Sequence, residues 1–530
     1  MLDHGAAEIR LRPSDLPDQA SAREYDAGRC HTILCGFAFA TVPPSDRVIP
    51  RLFRMLPSCL ITGEVAVALL VLSLFRLESK GTVAAFATSV PGWACVGACF
   101  VLLVSARCVW ASFQRATSLV RRQYALTVAV NLFTILLVSA SGELVIRLMA
   151  HRTVEGPRFA NTLLFPRMWS DVSARHREVI AHMASESAYV VADPELGWNL
   201  APNREAGDGL YRTSAEGLRS PAVGTSFSDP STRLTGPTTT APEIRIALLG
   251  DSMTFGSEVP CEASLPHLLQ ERLDPRVQVL NFGVPGYSAY QALLKYRRDI
   301  RSWKPNFVIM GITSRQLLRM QNVYNFLISP TGIQFPFARP RPRVEASTLQ
   351  TINGPVPSPA EIFSVSDLRF LPYLEEDRFY ARMEWPRGGP WGLLESSYLF
   401  RFVASLRPPV EALKTDLSDD ALVSLTRATL QTFIQEVLRD GGLPILLHLP
   451  YQGELRSAAF SAVATAPPGA HLLTQAGQEF WDAVPCLIQA NAFEEFAPGA
   501  HYTGSANAAV AGCLSETLRL TAEYQYAISF

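Results

Sequence analysis

The chain lacks the residue patterns of a metal or redox centre. Its nine cysteines include no CxxC pair, and no Cys/His spacing suits zinc. It also lacks an excess of either charge. Lys and Arg number 47 against 48 Asp and Glu, for a formal charge of -1, so no basic field exists to gather nucleic acid. No internal repeat is found, which excludes solenoids and propellers. The first thirty residues are polar rather than an apolar leader, which predicts that later segments direct any membrane insertion. With 530 residues, roughly two to four domains' worth of chain, a large core is available. Stability therefore calls for neither cofactor nor metal, and none is expected.

What is abundant is apolar sequence, 48% of residues, concentrated in the first 150. Three windows free of Lys and Arg, Leu56–Phe75, Thr82–Ala106 and Gln123–Gly142, are each long enough to cross a hydrocarbon core about 30 Å thick. Glu64 in the first reads as a packing or near-interface residue, and Pro91 in the second is tolerable near a helix end. Ile33–Val42 is too short to span. Arg47, Arg51 and Arg54 precede the first window, and Arg107, Arg115, Arg121 and Arg122 separate the second from the third. Only Arg76 and Lys80 separate the first from the second. Cationic loops resist translocation, so the expectation is a cytoplasmic tail over residues 1–55, a transmembrane region over 56–142, and a C-terminal part outside the cytoplasm in the inner or plasma membrane. Arg147, Arg152 and Arg158, after the third window, make the contrast modest. Six cysteines, Cys30, Cys35, Cys59, Cys95, Cys99 and Cys108, lie in or near this apolar region and read as packing residues. A Cys486–Cys513 disulfide is compatible with the sequence but not required by it.

Past about residue 150 the long apolar runs give way to short strands alternating with amphipathic helices, the pattern of an α/β domain with a mostly parallel, doubly wound sheet. Ile244–Leu249, Val277–Leu280, Phe307–Ile312 and Pro444–Leu449 read as buried strands. Asp419–Arg439 reads as the clearest helix, with Gly441-Gly442 after its last turn, and about Ser505–Leu520 as the last one. The expected division is a lead-in and linker over residues 143–242, a catalytic-type domain over 243–525, and an insertion over 329–409. Gly217–Pro242, rich in Ser, Thr, Pro and Gly, reads as a flexible surface loop. The proline- and aromatic-rich stretch Ser329–Pro409 is too long for a bare connection and reads as an insertion that shapes access to a site.

The strand Ile244–Leu249 runs straight into Gly250-Asp251-Ser252-Met253. Ligands of open parallel sheets bind outside the strands' carboxyl ends, so Ser252 is well placed as an exposed nucleophile with Asp251 in support. Alone, this tripeptide fits an ordinary strand-to-helix turn equally well.

A second block, Val279-Leu-Asn-Phe-Gly283-Val-Pro-Gly286, follows the second strand, and Gly499-Ala-His501-Tyr precedes the last helix. Together with GDS these resemble the SGNH/GDSL hydrolases, and Asp193-Pro-Glu-Leu-Gly-Trp198 with Arg212–Arg219 resembles the lead-in of their bacterial membrane-anchored members. The resemblance covers about residues 190–315 and 420–520 and implies an SGNH, flavodoxin-like fold. It implies Ser252 as nucleophile, His501 as base, the N–H groups of Ser252 and Gly286 as oxyanion donors, and Gly283 as a structural glycine. Two positions depart from the family pattern. Arg315 stands where the third block carries Asn, so Arg315 or Gln316 is the candidate replacement donor, or Arg315 pairs with an anionic substrate group, or neither takes part. Pro498 stands where the family places Asp, leaving a Ser-His dyad, a backbone carbonyl, Glu494 or Glu495 as substitutes. His448 reads as a packed residue rather than the base.

The function implied is a membrane-anchored serine ester hydrolase, esterase or O-acetylesterase-like, acting on an acylated envelope glycan or lipid, with the bilayer as its other partner and no nucleic acid. Two alternatives stay open: an O-acyltransferase using the same Ser-His pair, and a degenerate, non-catalytic envelope-binding protein.

Overall fold

The computed structural model of the chain describes residues 118–153, 155–183, 188–239, 241–329, 335–346, 348–381, 384–406, 417, 419–460, 466–522 and 524–525. The expected tail over 1–55 and the windows 56–75 and 82–106 lie outside them. The chain divides into two units, residues 1–74 with 87–124 and residues 75–86 with 125–530, and the site lies in the second.

The third apolar window falls inside helix α1 (Ser118–Met149). Residues 121–149 of this helix are long and apolar enough to cross a membrane, and the most apolar stretch has none of its residues buried. Leu126, Val130, Phe133 and Leu136 all stand exposed. At its far end Glu143 accepts hydrogen bonds from the Ser397 hydroxyl and from the N–H groups of Tyr398 and Leu399. Those are the first donors of helix Tyr398–Ser405 in the insertion, so a carboxylate satisfies N–H groups that the helix itself leaves open.

The central sheet has five strands: β1 (Ile244–Leu249), β2 (Val277–Asn281), β3 (Phe307–Ile312), β4 (Leu443–His448) and β5 (Trp481–Asp482). Their order is β2-β1-β3-β4-β5 and every pairing is parallel. This is the doubly wound, flavodoxin-like order, whose binding crevice opens where the connections reverse direction, between β1 and β3. Continuous apolar runs such as Ile-Ala-Leu-Leu suit strands covered on both faces, and β2 and β3 are buried throughout. The long helix runs Asp420–Arg439, with Asp419 as its cap accepting from the Ala421 N–H. Leu422, Leu430, Phe433 and Val437 form its buried face. The last helix spans Gly504–Arg519, and a disulfide joins its Cys513 to Cys486 on helix Val484–Gln489.

Residues 217–242 are not the loose loop their composition suggests. Arg219–Ser220 pairs with Arg212–Thr213, Thr232–Arg233 pairs with Gly236–Pro237, and Leu218, Phe227 and Leu234 are buried. Glu216 organises this arc, since its carboxylate accepts from the Ser214 and Ser226 hydroxyls and the Phe227 and Ser228 N–H groups. Side-chain acceptors thus do what a strand ladder would otherwise do. The insertion also builds core rather than covering it. Phe363 and Trp385 pack with Phe326 around Trp169 of the lead-in.

Candidate active site

Ser252 opens a four-residue helix, Ser252–Phe255, directly beyond β1. Asp251 caps it, with Oδ1 accepting the Met253 N–H at 3.1 Å. The other oxygen, Oδ2, accepts from the Thr313 hydroxyl at 2.9 Å and from Arg319 Nη1 at 3.0 Å. Asp251 is fully buried, so the Arg319 guanidinium compensates a charge that would otherwise be very costly there. Arg319 Nη1 also donates to the Tyr287 carbonyl, tying the neighbour of Ser252 to the second block.

In that block the two glycines are used differently. The Gly283 N–H donates to Asn281 Oδ1 at 3.0 Å, and Asn281 Nδ2 donates to the Phe255 carbonyl, which fastens the turn to the helix that Ser252 begins. Gly286 has φ +81°, a left-handed conformation that favours glycine, and no described residue accepts its N–H. Trp198 fixes this turn. Its Nε1 donates to the Pro285 carbonyl, its own carbonyl accepts from the Tyr287 hydroxyl, and a Cβ on Gly286 would lie 3.2 Å from its ring. The Ser252 N–H, at a helix start, likewise has no described acceptor.

His501 lies between the two helices joined by the disulfide. Its Nε2 is 2.8 Å from Ser252 Oγ, so the hydroxyl can donate to it. Its Nδ1 is 2.5 Å from Glu258 Oε2 and donates to that carboxylate. Glu258, six residues after the serine, was not among the residues singled out in the sequence. Its other oxygen accepts the Gly499 N–H at 2.8 Å, and a Cβ on residue 499 would lie 2.5 Å from the carboxylate, so a side chain there would displace Glu258 from this position. Burial pushes the Glu258 carboxyl up, but hydrogen bonds from His501 and Gly499 outweigh it and hold the group below the ordinary carboxylate range. Both Glu258 (φ +67°) and Ala500 (φ +69°) occupy the left-handed region. Each costs of order about 1–3 kcal/mol, so the surroundings must enforce them.

The carboxylates proposed for the Pro498 vacancy are engaged elsewhere. Glu494 pairs with Arg456, and Glu495 Oε2 accepts from the Thr503 hydroxyl at 2.5 Å. The only sequence signal for Glu258 was indirect: a carboxylate in the tight turn just after Ser252, in a chain with Pro498 where the family pattern has its acid. In the third block Gln316 closes a capping box with Thr313 at the start of helix Ser314–Leu318, and its Nε2 is buried without a partner. Arg315 is exposed, with its guanidinium carbon 4.8 Å from the centre of the Tyr451 ring. Neither makes a described bond to Ser252 or Gly286. Thr313, which was not singled out, is the third-block residue that reaches the turn at Ser252, through Asp251. His448 is fully buried and its Nδ1 meets Asp482 at 2.8 Å, away from Ser252. Among the described residues no group of His, Cys, Asp and Glu could hold a metal ion.

A serine, a histidine and a glutamate linked in series at the crevice of a parallel sheet define the class of site. No protein-family model matches the chain, and no curated protein matches it. Among solved structures, the chain is similar to a putative lipolytic protein of the G-D-S-L family from Desulfitobacterium hafniense, at 12% identity over 51% of this chain and 98% of that one, TM-score 0.25. It is similar to a G-D-S-L family member from Veillonella parvula at 11% identity over 52% and 100%, TM-score 0.27. An acetyl xylan esterase from Geobacillus stearothermophilus matches at 12% identity over 52% and 94%, TM-score 0.26.

Proposed function

We propose that the chain is a serine ester hydrolase whose catalytic groups are Ser252, His501 and Glu258. The observation that carries this reading is the unbroken series from Ser252 Oγ through His501 to Glu258, with steps of 2.8 and 2.5 Å. His501 Nε2 takes the serine proton as Oγ attacks the ester carbonyl, and the oxygen that becomes negative lies against the Ser252 and Gly286 N–H groups. His501 then returns the proton to the leaving alcohol, and water, activated in the same way, releases the acyl group. Glu258 orients the imidazole and stabilises the imidazolium while that proton is held. Glu258 also answers the argument for a degenerate site drawn from Pro498.

The same reading places the domain outside the cytoplasm, anchored by α1. Two observations support it: the length and exposed apolar surface of α1, and the Cys486–Cys513 disulfide, a bond that persists in oxidising compartments. The substrate class, an acyl ester on an envelope glycan or lipid, follows from that location and from the family resemblance of the sequence. The experiment is to treat full-length protein in detergent with a fluorophosphonate probe and assay it on a short-chain acyl ester. Labelling at Ser252 and turnover, both absent from Ser252→Ala, are expected. Folded wild-type protein that neither labels nor turns over would sink the enzyme reading.

A further inference from the structure

Glu258 holds a left-handed backbone conformation that a residue with a side chain avoids, so the turn must be fixed from outside. Its own N–H donates to the Tyr211 hydroxyl at 2.9 Å. The carbonyl of the next residue, Val259, accepts from Arg219 Nη2 at 2.9 Å. Arg219 belongs to the arc before β1 and Tyr211 directly precedes the strand Arg212–Thr213 that pairs with it, and neither bonds to Ser252 or His501.

Arg219 is buried, and its guanidinium carbon lies 4.7 Å from the centre of the Tyr211 ring and 4.7 Å from that of Phe255. Phe255 ends the short helix that Ser252 begins. One cation therefore clamps the Tyr211 ring, the end of the nucleophile's helix and the acid's turn together. No described carboxylate pairs with it, and its Nε and Nη1 are buried without hydrogen-bond partners. A buried cation held by the Leu210 and Val259 carbonyls, two ring faces and the neighbouring Cys261 thiol, with no carboxylate, is a poor stabiliser compared with an apolar side chain of the same shape. What it supplies is geometry: a donor aimed at Val259 and a plane between two rings.

We propose that Tyr211 and Arg219 are positioning residues for the catalytic acid, holding the turn at Glu258 so that its carboxylate meets His501 Nδ1. This inference rests on the Ser252–His501–Glu258 reading, and the test separates the two. Tyr211→Phe removes the acceptor of the Glu258 N–H and keeps the ring; Arg219→Met removes the clamp at similar length. Fluorophosphonate labelling of Ser252 in the full-length protein gives the maximal rate and the concentration for half of it. A misplacement of about 1 Å can cost about 100-fold, so the maximal rate should fall about tenfold in Tyr211→Phe and up to about 100-fold in Arg219→Met. Half-saturation and, for Tyr211→Phe, the melting temperature should stay at their wild-type values. The far-downfield proton resonance of His501 Nδ1–H, absent from Glu258→Gln, should move upfield in Tyr211→Phe. If Tyr211→Phe labels at the wild-type rate with that resonance unmoved, the positioning role is overturned. If Arg219→Met loses rate only in proportion to its unfolded fraction, Arg219 is merely structural. If folded wild type does not label at all, the triad reading fails first and takes this inference with it.

Discussion

The two arms of the site are built by opposite means. Ser252 and Asp251 stand at the end of a buried parallel strand, and Asp251 is wholly shielded, with Arg319 and Thr313 as partners. His501 and Glu258 come from loops and keep side-chain exposures of 21% and 28%. Strand pairing fixes the first arm, so its position follows from the register of β1 against β2 and β3. The second arm has only an isolated antiparallel bridge, Phe496 with Tyr502, and the Ala497 N–H donating to the His501 carbonyl. It is held by two left-handed residues, the close approach that Gly499 permits, a disulfide that brackets His501, and contacts from the arc before the sheet.

The sharpest way to break this comparison is to remove the acid. Glu258→Gln should keep the turn but lose the orienting charge, lowering turnover on a short-chain ester by about 10³–10⁴-fold. Glu494→Gln and Glu495→Gln should stay close to wild type, because those carboxylates serve Arg456 and Thr503. Equal losses in Glu495→Gln and Glu258→Gln would refute the assignment of the acid. On the strand arm, Arg319→Met leaves Asp251 buried and uncompensated, which typically costs about 3–5 kcal/mol, read as a lower urea midpoint. A change below about 1 kcal/mol would mean that water or another donor reaches Asp251.

Next in size is the staple on the loop arm. The Cys486–Cys513 bond encloses a sequence separation of 27 residues that includes His501. The loop-entropy relation gives such a crosslink about 3–4 kcal/mol at most. Cys513→Ser should therefore lower the melting temperature and, before global unfolding, slow fluorophosphonate labelling, since the base loses its brace. Unchanged labelling at a lower melting temperature would place the brace in Gly499 and Glu258 instead.

The same contrast explains what could be read in advance. The first four strands, the GDS turn, the second-block glycines and the histidine block are local patterns, each set by neighbours within a few residues, and they were legible as such, whereas the short edge strand Trp481–Asp482 and the order of the sheet depend on distant pairing. Glu258 was not, because its partner is 243 residues away and its only local mark is a carboxylate in a tight turn. The arc over 217–242 misled for a related reason. Its composition is that of a loop, yet two buried arginines, Arg219 and Arg233, and the Glu216 carboxylate just before it give it defined geometry that no periodicity announces. Arg315 and Gln316 were chosen by position in a block; the Gln316 carbonyl oxygen closes a capping box while its Nε2 stays unpartnered, and Thr313 makes the contact to Asp251.

The smallest effect expected comes from that arc. Burial alone would push the Glu216 carboxyl up, but the Ser226 and Ser214 hydroxyls and the Ser228 N–H bring it down to about 2, against an ordinary 4.5. A group whose folded pKa is depressed stabilises the native state fully above its ordinary value and loses that contribution as pH falls through the folded one. Glu216 should therefore support the arc at pH 7 and progressively less as the pH falls from about 4.5 towards 2. Because the group is partly open to solvent, the effect is screened and modest. Glu216→Gln should have a lower urea midpoint than wild type at neutral pH, and the gap should narrow in acid. A gap independent of pH would mean that the carboxylate's shape, not its charge, organises the turn on which Tyr211 and Arg219 sit.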